Sequence, residues 1–286
     1  MHIFLTGSSG FIGSYFLKHA IELGAKVTTV NRREVPTINE NHINLNKNLF
    51  EIKHDDFVGI DVVVHLACAG VSPKLVTFSE LYEINFLASI ALMQEAIKGG
   101  VGRFICTGTA YEYGKHAEKL DKIPPDFPLK PLGKYAESKV AAFYIMKNLA
   151  LDSDLSFLYP RIFSTYGNGQ YRKNFWPSLY NAAIRGEDFK MTNGTQIYDF
   201  IKVEIVASLL YQACIRNDIK DNQPFVYNIG SGKPISLYDF ALDNWKALGA
   251  KLIPPTAICV IKIINIRGTP TIRVILMTYL INLFMP

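Results

Sequence analysis

The chain opens on a short apolar run, His2-Ile3-Phe4-Leu5, that leads straight into Thr6-Gly7-Ser8-Ser9-Gly10-Phe11-Ile12-Gly13. That junction restricts the possible folds more than any other stretch. After the glycines, Phe11, Ile12, Tyr15, Phe16 and Ala20 recur at helical spacing up to Gly24, and Lys26 to Val30 reads as a second strand. A strand, a tight turn, a helix and a strand thus fall within about 30 residues, the context in which a glycine-rich turn carries meaning. Glycine lets the backbone turn sharply and approach a pyrophosphate, and the dipole of the following helix favours its charge. The pattern predicts dinucleotide binding, with Thr6, Gly7, Gly10, Phe11, Ile12 and Gly13 at the cofactor.

The end of the second strand bears on which dinucleotide is bound. A carboxylate there would hydrogen-bond the adenosine ribose and repel a 2′-phosphate. The chain instead reads Asn31-Arg32-Arg33. Two guanidinium groups suit a phosphate, so NADP is expected ahead of NAD; the competing reading is a pair of solvated loop arginines.

Residues 36 to 48 are asparagine-rich and read as a loop, whereas Leu49 to Lys53 alternates like a strand and ends at Asp55 and Asp56, where a carboxylate could receive the adenine amine. Asp61 to Ala67 is a near-continuous apolar run, the mark of a strand inside a parallel sheet. Leu66 and Ala67, at its end, lie where a cofactor ribose would pass. A long helix is expected over roughly Glu80 to Lys98, stopped by Gly99-Gly100. Within it, Asn85 either braces the neighbouring strand or faces solvent. Arg103 to Cys106 is the next strand and delivers Thr109 to the carboxyl rim of the sheet, where ligands of open α/β sheets bind. Four prolines between Lys115 and Pro131 make that segment a loop.

Gly133-Lys134-Tyr135-Ala136-Glu137-Ser138-Lys139 then opens an apolar helical segment. Tyr135 and Lys139, four residues apart, share a helix face. An ammonium there favours the phenolate and brings a tyrosine toward proton exchange at neutral pH. The plainer alternative is a surface tyrosine with its ring covered by a lysine stem.

Composition excludes several classes. With 49% hydrophobic and 19% charged residues in 286, the chain is globular. A net charge of +5 with scattered basic residues gives no nucleic-acid track. Cys68, Cys106, Cys214 and Cys259 stand singly in apolar contexts and read as buried reduced thiols, which suits a cytoplasmic location. The six histidines show no metal-ligand spacing, and His65 reads as a packed core residue. No cleavable signal is evident before the first strand.

Taken in order, Thr-Gly-x-x-Gly-x-x-Gly at 6 to 13, Thr109 ahead of Tyr113-Gly114, and Tyr135-x-x-x-Lys139 resemble the extended short-chain dehydrogenase/reductase family, in particular its nucleotide-sugar epimerases, dehydratases and 4-ketoreductases. Tyr159-Pro160-Arg161-Ile162-Phe163-Ser164-Thr165-Tyr166-Gly167, Tyr198-Asp199-Phe200-Ile201-Lys202-Val203 and Tyr227-Asn228-Ile229-Gly230 extend the likeness to about residue 250. It implies an α/β fold: a Rossmann doubly wound parallel sheet over residues 1–160, with 202–229 returning to it, and a smaller substrate-binding lobe from 161–200 and 230–286. It also implies Tyr135 as general acid/base and Lys139 as the group that holds the nicotinamide ribose and depresses the tyrosine pKa. Thr109 would bond the C4 oxygen of a nucleotide-diphosphate sugar, Pro160 would touch the cofactor, and Ala110, Tyr111, Ser164, Arg172, Asn174 and Tyr198 would line the substrate. Dehydratases of the family carry an Asp-Glu pair where Ala110 and Tyr111 stand, so dehydration is not expected. A 4-ketoreductase is the leading expectation on the strength of Arg32 and Arg33, a 4-epimerase or a catalytically weak NAD(P)-binding relative the alternative. Homodimers are implied too.

The resemblance fades from about Leu252, where Lys262, Arg267 and Arg273 occur without any acidic residue. Val274 to Pro286 is apolar but shorter than the roughly 20 residues a bilayer needs. No membrane anchor is expected; a diverged end is.

Overall fold

The strands of the first half are nearly uninterrupted apolar runs, which only a sheet covered on both faces can bury. A computed structural model describes residues 1–71, 76–219 and 223–249; the atypical stretch from 252, with Cys259, lies outside the described residues. β1 (His2–Thr6), α1 (Phe11–Glu22), β2 (Lys26–Asn31), β3 (His42–Asn46) and β4 (Val62–His65) follow in turn. Next come α2 (Phe78–Tyr82), α3 (Ser89–Lys98), β5 (Arg103–Cys106), β6 (Gly108–Thr109), α4 (Lys134–Leu151) and β7 (Ser156–Ile162). β8 (Ser164–Tyr166), α5 (Phe175–Arg185), β9 (Ile197–Lys202), α6 (Val203–Ile215), β10 (Phe225–Ile229), β11 (Pro234–Ser236) and α7 (Leu237–Ala247) complete the described chain.

The main sheet has the order β10-β7-β5-β4-β1-β2-β3, with β6 beside β7, and its pairings are parallel. Alternate side chains divide between its faces. Ile3, Leu5, Val62, Val64, Ile105 and Leu158 pack with α1 and α6 through Phe16, Ala20, Val206 and Leu210. Phe4, Val63, Phe104, Phe157 and Tyr159 pack with α3 and α4 through Leu92, Met93, Phe143 and Met146. Each fully buried large side chain contributes roughly 1.5–3 kcal/mol. Strand order reverses between β1 and β4, and the crevice outside their carboxyl ends is where such sheets bind ligands.

A second sheet, β11-β9-β8, carries α5 and α7, which meet through Leu179, Ala182, Ala183, Ala241 and Trp245. Phe200 of β9 stacks on Phe240 of α7 with ring centroids 3.7 Å apart. This lobe stands over the same rim, because β8 follows β7 after one residue.

The structure corrects three local expectations. Residues 42–46 form β3 rather than loop, and 49–51 are a 3-10 turn rather than strand. The polar side of β3 explains both: Thr29 Oγ1 meets His42 Nε2 at 2.9 Å, and Asn31 Nδ2 donates to Asn44 Oδ1 at 2.7 Å. The pairing is cemented by hydrogen bonds, so the segment shows no apolar alternation. The helix expected over 80–98 starts at Phe78 on a Thr77 cap and is interrupted by a π-helical segment, Glu83–Ala88.

Candidate active site

The turn after β1 is made by backbone. Gly7 has φ +74, and a Cβ on it would lie 2.6 Å from the Ala67 nitrogen. A Cβ on Gly13 would overlap the Gly7 carbonyl. Gly10 caps α1 with no side-chain hydrogen bond, so the first-turn N–H groups remain turned toward the crevice with the positive end of the dipole. A pyrophosphate fits this cradle. Phe11 and Ile12 are half-buried beside it. Thr6 serves as a bracket: its Oγ1 accepts from Ala67 N at 3.2 Å and bonds His65 Nδ1 at 2.7 Å. Leu66, whose N–H donates to the Thr6 carbonyl, and Ala67 border the cradle from the end of β4.

At the end of β2, Asn31 is buried and fully engaged. It accepts from Ser8 Oγ at 3.2 Å and donates to Asn44 and Thr29. Arg32 and Arg33 are exposed. Asp55 and Asp56 do not stand where an adenine would lie. They occupy a 3-10 turn, His54–Phe57, tied through His54 N–H to Glu95 near the C-terminal end of α3, on the side where the strands begin. Asp56 is taken up by Lys47 Nζ at 2.6 and 2.7 Å and by Lys53 N–H. The residues at the carboxyl end of β3 are Asn46 and Lys47. Pro160 is also misplaced: it is buried within β7, paired with Tyr227, two residues short of the rim at Ile162.

Tyr135 stands in the first turn of α4, half-buried against Gly70, with its Cδ2 3.6 Å from where a Gly70 Cβ would lie. Lys139 is 3% exposed, beneath it. Burial pushes the Tyr135 phenol well above its ordinary value, and Cys68, Glu112 and Tyr111 add to the rise. In the protein alone burial therefore outweighs the lowering expected from Lys139, whose charge also acts on His65, Cys68 and Cys106. Cys68 is exposed as a residue, contrary to its expected burial, and its thiol lies beside the Tyr135 side chain. Cys106 and Cys214 are buried and free.

Asn85 takes the bracing role. It is 1% exposed; its Oδ1 accepts from Ala69 N at 2.7 Å, and its Nδ2 donates to Ala69 O and to Ser138 Oγ, both at 3.0 Å. Ser138 in turn donates to the Tyr135 carbonyl at 2.7 Å. The π segment, where Ser89 Oγ bonds the Asn85 carbonyl, turns Asn85 inward. His65 is buried, with Nε2 2.9 Å from Ser89 Oγ, and burial then Lys139 push its pKa down to about 3. A neutral imidazole with Nε2–H donating to Ser89 and Nδ1 accepting from Thr6 satisfies every partner.

Thr109 is 7% exposed at the end of β6, and its Oγ1 accepts from Tyr111 N at 3.4 Å, which leaves its own proton to donate. Ala110 and Tyr111 follow in a 3-10 turn packed against α4. Tyr111 and Tyr198 lie near each other: burial first, then Tyr111 and Glu118, push the Tyr198 phenol up. Ser164 lines β8; Asn174 precedes α5 with its side chain uncommitted to the cap, and Arg172 is exposed just before it. The structure thus gathers Thr109, Ala110, Tyr111, Tyr135 and Lys139 at one rim, with the lobe carrying Ser164, Arg172, Asn174 and Tyr198 above it. The pairing of Glu112 with Arg161 behind this site was not anticipated, and Cys68 was expected only within the run that passes the cofactor ribose. A carboxylate one place after Tyr111 was the available signal for the first. No cluster of metal-ligating side chains occurs among the described residues, nor any helix long and apolar enough to cross a membrane.

Residues 3–230 match the model of the NAD dependent epimerase/dehydratase family. The chain belongs to that family. Among curated relatives, it is 24% identical over 267 residues to a UDP-glucose 4-epimerase of Halalkalibacterium halodurans, covering 83% of this chain and 77% of that one. It is 23% identical over 291 residues to UDP-arabinose 4-epimerase 1 of Arabidopsis thaliana, covering 88% and 68%. Among solved structures, MoeE5 in complex with UDP-glucuronic acid and NAD superposes with a TM-score of 0.76 at 29% identity, over 88% of this chain and 83% of that one. The MoeE5 complex contains NAD, so this likeness does not support the NADP preference inferred from Arg32 and Arg33.

Proposed function

We propose that the protein is an NAD-dependent 4-epimerase of a UDP-linked sugar. The observation that carries this reading is an intact Thr109, Tyr135 and Lys139 set, with Ala110 and Tyr111 in place of an acidic pair, in a chain whose relatives include UDP-sugar 4-epimerases. Tyr135 takes the proton of the C4 hydroxyl as that carbon becomes a ketone, and returns it when the ketone is reduced on the opposite face. Thr109 donates to the C4 oxygen and holds it against Tyr135. Lys139 supplies a buried positive charge that stabilises the phenolate once it forms. NAD, when bound, accepts the C4 hydride and gives it back. Ala110 and Tyr111 do not supply the carboxylate pair that removal of water from the sugar uses.

Asn31 is already committed to Ser8, Thr29 and Asn44, so a ribose hydroxyl must be met by the outer residues. The exposed Arg32 and Arg33 are read as solvated, which suits a cofactor that stays bound and is regenerated each cycle. The 4-ketoreductase reading rests on those two arginines. A second copy of this chain is proposed to cover Phe78, Leu87, Tyr144 and Ile145, which are exposed on adjoining helical surfaces of the 78–98 segment and α4.

The deciding experiment is proton NMR of UDP-glucose and UDP-galactose incubated with purified protein, alongside acid release of bound cofactor. Interconversion at C4 with NAD in the extract is expected. Net consumption of NADPH with a 4-keto sugar would establish the reductase instead, and NAD binding without turnover of any UDP-sugar would leave a binding relative.

A further inference from the structure

Behind the rim lies an ion pair that the chemistry above does not use. Glu112 is 0% exposed and Arg161 2%, and Arg161 Nε donates to Glu112 Oε2 at 2.6 Å. A buried pair of this kind costs desolvation that well-packed apolar residues would avoid, so it is a weak source of stability. Its partners are more informative. Glu112 Oε1 accepts from the backbone N–H of Thr109 at 2.9 Å and from Tyr159 OH at 2.8 Å. Tyr159 OH also lies 3.3 Å from the carbonyl of Lys139. The network therefore touches the main chain of two residues of the catalytic set, one on β6 and one on α4.

Arg161 is fixed from every side. Its NH1 donates to Pro125 O at 2.8 Å and to Tyr113 OH at 3.3 Å. Its guanidinium lies 5.0, 5.1 and 5.6 Å from the ring centres of Tyr113, Phe143 and Tyr159. Tyr113 OH donates to Asn228 Oδ1 at 2.6 Å, which anchors the set to β10. Gly108 leaves the space: a Cβ there would lie 2.6 Å from Glu112 Oε1 and would overlap the Tyr159 ring.

We propose that Glu112, locked by Arg161 and Tyr159, is a positioning residue that fixes the Thr109 turn against the Tyr135–Lys139 helix. The turnover consequence rests on the epimerase reading. The ionisable groups facing Tyr135 are Cys68 from the loop after β4, Tyr111 and Glu112 from the turn after β6, and Lys139 one turn along α4. Among them Glu112 is a fixed anion that opposes ionisation of the phenol.

The test replaces the pair by apolar residues of similar size, E112L/R161M, and by the near-isosteric E112Q. The double variant is expected to fold and retain NAD, with kcat lowered about tenfold or more and KM for the UDP-sugar within about twofold. A kcat within about twofold of wild type would overturn the proposal. Should the double variant fail to fold, E112Q decides. Its ascending limb of kcat against pH is expected to move to lower pH by about half a unit or more, since the anion beside Tyr135 is gone, and an unmoved limb overturns the proposal. If the wild type turns over no UDP-sugar, the epimerase reading fails separately. Hydrogen exchange of the Thr109 amide in E112L/R161M, which lacks the acceptor, then decides: exchange about tenfold faster supports the positioning role, and unchanged exchange overturns it.

Discussion

The two ends of the binding crevice are built differently. The cradle after β1 is main chain: Gly7, Gly10 and Gly13 bring backbone N–H groups to a helix terminus, and their missing side chains are the essential feature. The catalytic rim is side chain: Ser138, Glu112 and Tyr159 bond the backbone of Tyr135, Thr109 and Lys139, and Asn85 and Arg161 hold Ser138 and Glu112 in turn. The first arrangement is specified by residues close in sequence. The second joins residues more than forty positions apart, such as Glu112 with Arg161 and Asn85 with Ser138. His65 is the bridge between them, bonded to Thr6 of the cradle and to Ser89 beneath the rim.

If the ends are separable, damage to one should spare the other. Y135F is expected to show the largest effect, a fall in kcat of about 100-fold or more with the bound NAD content unchanged. Acid-quench measurement of cofactor alongside turnover checks this, and loss of NAD in Y135F would show that the rim also builds the cradle.

The bridge gives the next effect. With a folded pKa about 3 against an ordinary 6.5, His65 stays neutral in the native state while the unfolded chain takes up a proton. Above pH 6.5 neither state is protonated at this ring; as pH falls from there toward 3, the native state loses stability. At about pH 5 the loss from His65 is about 2 kcal/mol. His2 and His42, also lowered by burial, add in the same direction. Urea midpoints of wild type and H65Q at about pH 7.5 and about pH 5 should show a shallower decline in the variant, whatever its stability at the higher pH. Equal declines would mean that other groups carry the acid sensitivity.

G13A comes next, because the Gly7 carbonyl must shift to admit a methyl. NAD affinity is expected to fall about tenfold or more, since the Cβ overlaps the Gly7 carbonyl. The Thr109 amide should exchange as in wild type. Unchanged affinity by calorimetry would show that the cradle tolerates a side chain and would break the contrast.

The same contrast explains what could be read in advance. The strand-turn-helix-strand opening, the apolar β4 and the Tyr135–Lys139 face follow from periodicities of two and 3.6 residues, which are local. β3 was missed because its pairing is polar. The kink at Asn85 was missed because a π segment depends on where Ser89 and Ala69 end up. Asp55 and Asp56 were misassigned through the same β3 error: once the third strand was moved to 49–53, the next carboxylates appeared to cap it.

By itself the sequence determined a doubly wound dinucleotide fold and a tyrosine-lysine device on its rim, since both are coded by spacing along a few turns of chain. Alternation along an extended segment already turns Glu112 away from the substrate; only the tertiary structure decided that it enters a buried pair with Arg161, and that the Tyr135 phenol is raised rather than lowered in the protein alone. Both depend on burial and on charges brought together from distant strands, and neither a desolvation cost nor a cross-sheet hydrogen bond leaves a mark at the residue where it acts.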